Sequence, residues 1–167
     1  MLPATANRGC ALEDLVETIF SADPKSAMHR QNNKWIPLRG GKAGAFPSRG
    51  APVDFVGVIR GVPVALECKE CGAPRFPLSE TRLPQKEKDA LLRFVKAGGK
   101  SFLLVWFWKS NTLAVYPIAD VLAFLKEGKK SLTPGDAAFV LSVGEMLKLP
   151  ARLVCEPKAG GDAVAAP

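Results

Sequence analysis

The sequence predicts an α/β domain, a mixed β-sheet with helices on its faces, and three stretches carry that prediction. An amphipathic helix opens the chain, two β-branched runs follow on either side of Arg60-Gly61, and a second amphipathic segment leads into the almost wholly apolar run Ser101 to Trp108. A helix, a hairpin, a helix and then a strand covered on both faces describe layers packed about one sheet.

The chain has 167 residues, enough for one domain with a core of its own. Apolar residues make up 47% and charged residues 23%, which is ordinary for a globular protein. The charge balance is not ordinary. A net charge of +7 and a pI near 9.4 point to a polyanionic partner, nucleic acid or an anionic membrane surface. The first residues lack the apolar core of a signal peptide, and no apolar run approaches the roughly 18 residues needed to span a bilayer. Four cysteines, Cys10, Cys68, Cys71 and Cys155, do not form a secreted disulfide framework in a chain of this length. The expectation is an intracellular protein with no membrane partner, a single domain over 1–156 and a disordered Ala/Gly-rich tail over 157–167.

Leu12, Leu15, Val16, Ile19 and Phe20 recur at helical spacing and predict a helix over 8–22. Glu13 and Glu17 share another side of it and read first as solvated acids. From Pro24 to Val53 the composition shifts. Lys25, Arg30, Lys34, Arg39, Lys42 and Arg49 occur without an acid among them, interleaved with Trp35, Phe46 and several glycines. A short strand near 33–38 and a flexible basic loop beyond it suit contact with phosphate backbones, where cations displace counterions without reading sequence. The bland alternative is a soluble loop. His29 is the only histidine and reads as structural.

Residues 52–69 carry the chemistry. Val53, Val56, Val58 and Ile59 fill one strand, Val62 and Val64 a second, and Arg60-Gly61 the tight turn between them. Side chains alternate along a strand, so Glu67 and Lys69 share one face and Cys68 takes the other. An antiparallel hairpin brings Asp54, near the start of the first strand, to Glu67, near the end of the second. Two close carboxylates in an apolar setting repel unless a cation lies between them, and a few oxygen ligands suit Mg²⁺ or Mn²⁺. Lys69 beside them can position water or offset charge on a phosphate. The alternative is a surface hairpin with a solvated ion pair.

Residues 70–78 read as a loop. Cys68-Lys-Glu-Cys71 lacks the second Cys or His pair that zinc needs. A helix is predicted over 84–97, with Leu91, Phe94 and Val95 buried, Gln85 in its first turn and Gly98-Gly99 as its stop. The run 101–108 is a central strand whose aromatics belong to the core, and 112–116 adjoins it across a turn. A helix follows over 118–126. Thr133-Pro134-Gly135-Asp136 is expected to start one more, continued by Phe139, Val140, Val143 and Leu147.

Asp54, twelve residues, then Glu67-Cys68-Lys69 resembles the PD-(D/E)xK nuclease motif, with Pro-Val-Asp in place of the usual Pro-Asp. The surrounding pieces extend the likeness. Asn7-Arg8-Gly9 with Leu12-Glu13, Val53-Asp54-Phe55-x-Gly57, Glu67-Cys68-Lys69-Glu70, Phe76-Pro77-Leu78, Gln85, and Ala97-Gly98-Gly99 with Ser101-Phe102-Leu103 follow one another as in the RecU-type Holliday junction resolvases. More loosely they resemble the Hjc-type resolvases of archaea and phages. The resemblance spans about residues 7 to 131. It implies a restriction-endonuclease-like (PD-(D/E)xK) fold, a homodimer, and Mg²⁺-dependent, paired symmetric nicking of four-way DNA junctions. It further implies that Asp54 and Glu67 ligate the metal and that Lys69 stabilises the transition state or orients the attacking water. Gln85 would be an additional metal-side ligand and Glu13 a nearby acid, with Arg8, Arg30, Lys34, Arg39, Lys42 and Arg49 gripping DNA backbones. Pro52 stands where the family usually has Thr, Pro84 where it often has His, and the insertion over 37–51 is short and Gly-rich. Two other readings fit the same residues: a nuclease of this fold acting on ordinary duplex, and a non-catalytic DNA-binding protein.

Overall fold

The two β-branched runs form adjacent antiparallel strands, and the rest of the sheet is built outward from them. A computed structural model describes residues 8–31, 35–37, 45–47 and 51–155, and for 8–10, 35–37 and 45–47 the backbone alone. The elements are α1 (Arg8–Ala22), β1 (Ser26–Arg30), β2 (Trp35–Pro37), β3 (Ala45–Pro47), β4 (Phe55–Ile59), β5 (Val62–Cys71), β6 (Phe76–Pro77), α2 (Gln85–Lys96), β7 (Lys100–Phe107), β8 (Thr112–Pro117), α3 (Ile118–Lys126), β9 (Ser131–Leu132), β10 (Phe139–Ser142) and α4 (Leu149–Val154).

Among the described residues the main sheet has six strands in the order β1-β4-β5-β7-β8-β10. All neighbours are antiparallel except β5 and β7. A parallel pair needs a crossover, and α2 lies in the connection that supplies it. The hairpin between β4 and β5 turns on Arg60 and Gly61 at φ 48° and 81°. That two-residue geometry matches the twist of the strands, and Gly61 adopts it without a Cβ clash. α2 ends where the Gly98 N–H reaches the Val95 carbonyl and the Gly99 N–H the Phe94 carbonyl.

Side-chain alternation divides the core in two. On one face Phe55, Leu66, Phe102 and Leu104 pack under Val16 and Phe20 of α1. On the other Leu103, Val105 and Tyr116 pack under Leu91 of α2 and Val121 of α3. The Tyr116 hydroxyl donates to the Thr133 carbonyl at 2.6 Å, so this buried phenol has its partner.

Three expectations from the sequence need correction. The residues after Thr133 do not form one helix. A capped 3₁₀ turn at Pro134–Asp136 leads into strand β10, a second 3₁₀ turn at Val143–Lys148, and only then α4. Along β10, Leu141 is buried while Val140 and Ser142 are exposed. That is period two rather than 3.6, and pairing with the edge of β8 decides the outcome. Residues 70–78 are not all loop: β5 runs on to Cys71, and β6 pairs with β9. Cys68 and Cys71 therefore both lie within β5, three residues apart and on opposite faces, each free. Strand β1 was not expected. Its Ser-Ala-Met-His-Arg sequence has little apolar alternation because it is a half-exposed edge strand. The short β2–β3 pair includes the strand expected near 33–38, and the tail over 157–167 lies outside the described residues.

Gly57 holds β1 close to the hairpin. A Cβ there would lie 2.0 Å from the Ala27 carbonyl oxygen and 2.7 Å from the Met28 Cα. These are backbone atoms and cannot swing aside, so the two strands would have to separate. Gly57→Ala is expected to lower folding stability by about 2 kcal/mol or more, read as a shift in the denaturant midpoint.

Candidate active site

Asp54 sits where β4 begins and is fixed on three sides. Its N–H donates to the Leu66 carbonyl at 3.1 Å, its own carbonyl accepts from the Gln31 N–H at 2.7 Å, and its Oδ2 accepts from the Cys68 N–H at 2.8 Å. The last bond matters to both elements. β4 pairing ends at Phe55–Leu66, so the Cys68 amide would otherwise lack a partner on that side, and the carboxylate takes the place of a backbone carbonyl. The same register carried one step further sets Asp54 opposite Glu67. Glu67 is only 3% exposed. Its Oε1 lies 2.6 Å from Lys69 Nζ, and the same ammonium lies 2.9 Å from Glu87 Oε2, which comes from the first turn of α2. The parallel partners of Glu67 and Lys69 are Leu103 and Val105, both fully buried, so an apolar wall backs the group.

Burial and charge together set the protonation of this cluster. Asp54 is raised above its ordinary value, first by burial and then by the negative charges of Glu13 and Glu87, against the pull of the Cys68 amide and Lys69. Glu67 is pushed up to about 8, by burial and then by repulsion from Asp54, which together outweigh the attraction of Lys69. Burial alone would lower Lys69, yet its ion pairs with Glu67 and Glu87 raise it, so the ammonium stays charged. Buried carboxyl groups that resist ionisation side by side, with oxygen donors only, fit a hard divalent cation that completes its shell with water and phosphate. Among the described residues no three His, Cys, Asp or Glu side chains converge as a ready-made cage. Asp54 and Glu67 are the residues here that could hold a divalent cation through oxygen ligands.

The structure brings Asp54, Glu67 and Lys69 together, keeps Glu13 within electrostatic reach of Asp54, and places Gln85 and Arg30 apart from them. Gln85 opens α2 but is exposed, and its amide donates to Asp89 at 2.8 Å. Glu13 lies on α1, where Arg30 holds it at 2.6 Å, although its charge still reaches Asp54. Arg30 faces α1 and is engaged by Glu13, Asp14 and Glu17 together. Partial burial opposes its charge, but these acids hold it above the usual arginine range. Its guanidinium is thus committed within the fold, and Glu17 is a partner to it rather than a purely solvated acid. The side chain of Arg8, and all of Lys34, Arg39, Lys42 and Arg49, lie outside the described residues.

Sequence reasoning missed Glu87, although a signal was present. Residues two apart on a helix point about 200° from each other, so Gln85 and Glu87 cannot face the same way. Leu91, expected in the buried stripe, is one turn beyond Glu87, and extending that stripe backward puts Glu87 against the sheet.

A mixed sheet between helices, with a carboxylate pair and a lysine on one face of its central hairpin, is a restriction-endonuclease-like nuclease fold. The sequence profile of RecU, Recombination protein U, matches residues 7–137, and the chain belongs to that family of Holliday junction resolvase nucleases. No curated protein sequence matches it significantly. Among solved structures it is similar to Hjc, a Holliday junction resolvase of Archaeoglobus fulgidus, at 18% identity and a TM-score of 0.49, over 81% of this chain and 96% of that one. No helix among the described residues is long and apolar enough to cross a membrane.

The raised acids make stability depend on pH in a definite direction. The folded state binds the Glu67 proton more tightly than the unfolded chain, whose value is near 4.5. This contribution is complete below that value and is lost as pH rises through about 8. In chelator, the denaturant midpoint is expected to fall between pH 5 and pH 8.5, by roughly 1 to 4 kcal/mol of stability. Glu67→Gln should flatten this slope, and an unchanged slope would show that Glu67 does not carry it.

Proposed function

We propose that this chain resolves four-way DNA junctions with a divalent cation, Mg²⁺ or Mn²⁺, held by Asp54 and Glu67, and that it places paired symmetric nicks as a homodimer. The observation that carries the reading is the convergence of these two acids and Lys69 on one face, in surroundings where both acids resist ionisation. The bound cation would supply Lewis acidity to a water and to the scissile phosphate.

The chain's own residues do the rest. Asp54 is fixed by the Cys68 amide and presents its carboxylate without a search through rotamers. Lys69 remains an ammonium and faces the phosphate, where it offsets charge that grows as water attacks phosphorus in line and the 3′ oxygen leaves. Leu103 and Val105 keep the local dielectric low and strengthen each of these interactions. Glu13 acts on Asp54 through its field, and Arg30 restrains it. Arg8, Lys34, Arg39, Lys42 and Arg49 grip the backbones of the arms. A single nuclease domain over 1–156 carries the activity, inside the cell where branched DNA arises. Two such domains about a two-fold axis match the two symmetric strands of a junction.

The test is cleavage of a labelled synthetic four-way junction, with linear duplex of the same sequence as control, in Mg²⁺ and in chelator. Paired nicks on the junction alone, abolished by chelator, are expected. Asp54→Asn and Glu67→Gln should each cut at least about a hundredfold more slowly while binding the junction as tightly as before. Equal cutting of duplex, or wild-type rates in either variant, would overturn the proposal.

A further inference from the structure

Glu87 is a part of the site that neither the motif nor the family match assigns. It projects from the first turn of α2 toward β5, and its Oε2 lies 2.9 Å from Lys69 Nζ. That oxygen is buried and, apart from this ion pair, makes no hydrogen bond. Lys69 is thus gripped from two directions, by Glu67 on its own strand at 2.6 Å and by Glu87 on the neighbouring helix. One of these partners, Glu67, is also the acid that the proposed function gives to the cation. An ammonium and a divalent cation cannot both take the same carboxylate at full strength.

We propose that Glu87 is a positioning residue that retains Lys69 when Glu67 turns to the cation. This rests on the metal-site reading above and deepens it. With Glu87 present, Lys69 can give up its contact with Glu67 without being left as an uncompensated, partly buried charge. It then stays beside the reacting phosphate, restrained by α2. Without Glu87, the ammonium keeps its ion pair with Glu67 and competes for that carboxylate with the cation. The device needs both elements. The strand spacing puts Lys69 beside Glu67, and the helix register puts Glu87, one turn before buried Leu91, over the same point.

The experiment measures Mn²⁺ binding to the protein without DNA, by electron paramagnetic resonance of free Mn²⁺, for the wild type, Glu87→Gln, Glu87→Asp, Lys69→Met and the double variant Glu87→Gln/Lys69→Met. Glu87→Gln is expected to weaken binding roughly tenfold, the usual effect of losing an outer-shell partner. Glu87→Asp keeps the charge but withdraws it from Lys69, and is expected to weaken binding as well. Lys69→Met removes the competitor, so adding Glu87→Gln to it should change binding little. In junction cleavage, the Mn²⁺ concentration for half-maximal rate should rise in Glu87→Gln by the same factor as the dissociation constant. Equal losses from Glu87→Gln with and without Lys69 would make Glu87 a ligand or a distant field and overturn the proposal. Wild-type binding in Glu87→Asp would overturn it in favour of charge alone. Absence of Mn²⁺ binding in the wild type would instead remove the metal site on which it rests.

Discussion

The structure depends on burying two carboxyl groups next to each other with, among the described residues, one ammonium beside them, that of Lys69. At about 4 Å two like charges repel by roughly 4 kcal/mol where the effective dielectric constant is near 20, and each loses hydration on top of that. One lysine cannot cancel both terms, which is why Glu67 holds its proton up to about 8. Counting Glu87, three acids share one lysine, so the fully ionised cluster has two negative charges in excess, as many as one divalent cation carries. The fold tolerates this because the cluster is small and its surroundings are secured by other means: a six-stranded sheet, two apolar layers, and helices that cover both faces.

Position in the sheet accounts for the precision. Asp54 and Glu67 belong to the same hairpin, so their relation is fixed by register and not by a loop. β5 is flanked on one side by β4 and on the other by β7, and that parallel pairing brings Leu103 and Val105 beneath the site. The parallel step also requires a crossover, and the helix in that crossover is the one that carries Glu87. The same connection that completes the sheet therefore delivers the second grip on Lys69. On the opposite face, Arg30 meets Glu13, Asp14 and Glu17 and ties β1 to α1, so its own positive charge is compensated within the fold. The basic character of the chain must then be expressed by other residues.

Much of this was legible in the sequence because it depends on local periodicity. The α1 stripe, the β4–β5 hairpin with its turn, and the α2 stop all follow from spacing and turn chemistry. So does the shared face of Glu67 and Lys69, which strand alternation dictates. What escaped was set by tertiary pairing. β1 is polar and becomes a strand because the edge of β4 accepts it. β10 carries apolar residues at positions that suit a helix or a strand, and the open edge of β8 selects the strand. Gln85 was singled out and Glu87 passed over, because finding Glu87 required the helix phase to be measured from Leu91. Arg30 was counted with the free cations since composition cannot show that three acids on α1 point back at it.

The hairpin also acts as a ruler. Because side chains alternate along a strand, gaining or losing one residue between Asp54 and Glu67 would send one of the two acids through the sheet to the α1 face. A change of two residues in one arm restores the face but displaces the group by about 7 Å, beyond the reach of a shared ion. Only growth that lengthens both arms equally preserves the pair, and that growth has room only at the Arg60-Gly61 tip. Length variation compatible with this site is thus confined to the turn and to the segments before Asp54, while the two arms between the acids are held equal in length by geometry rather than by the identities of their residues.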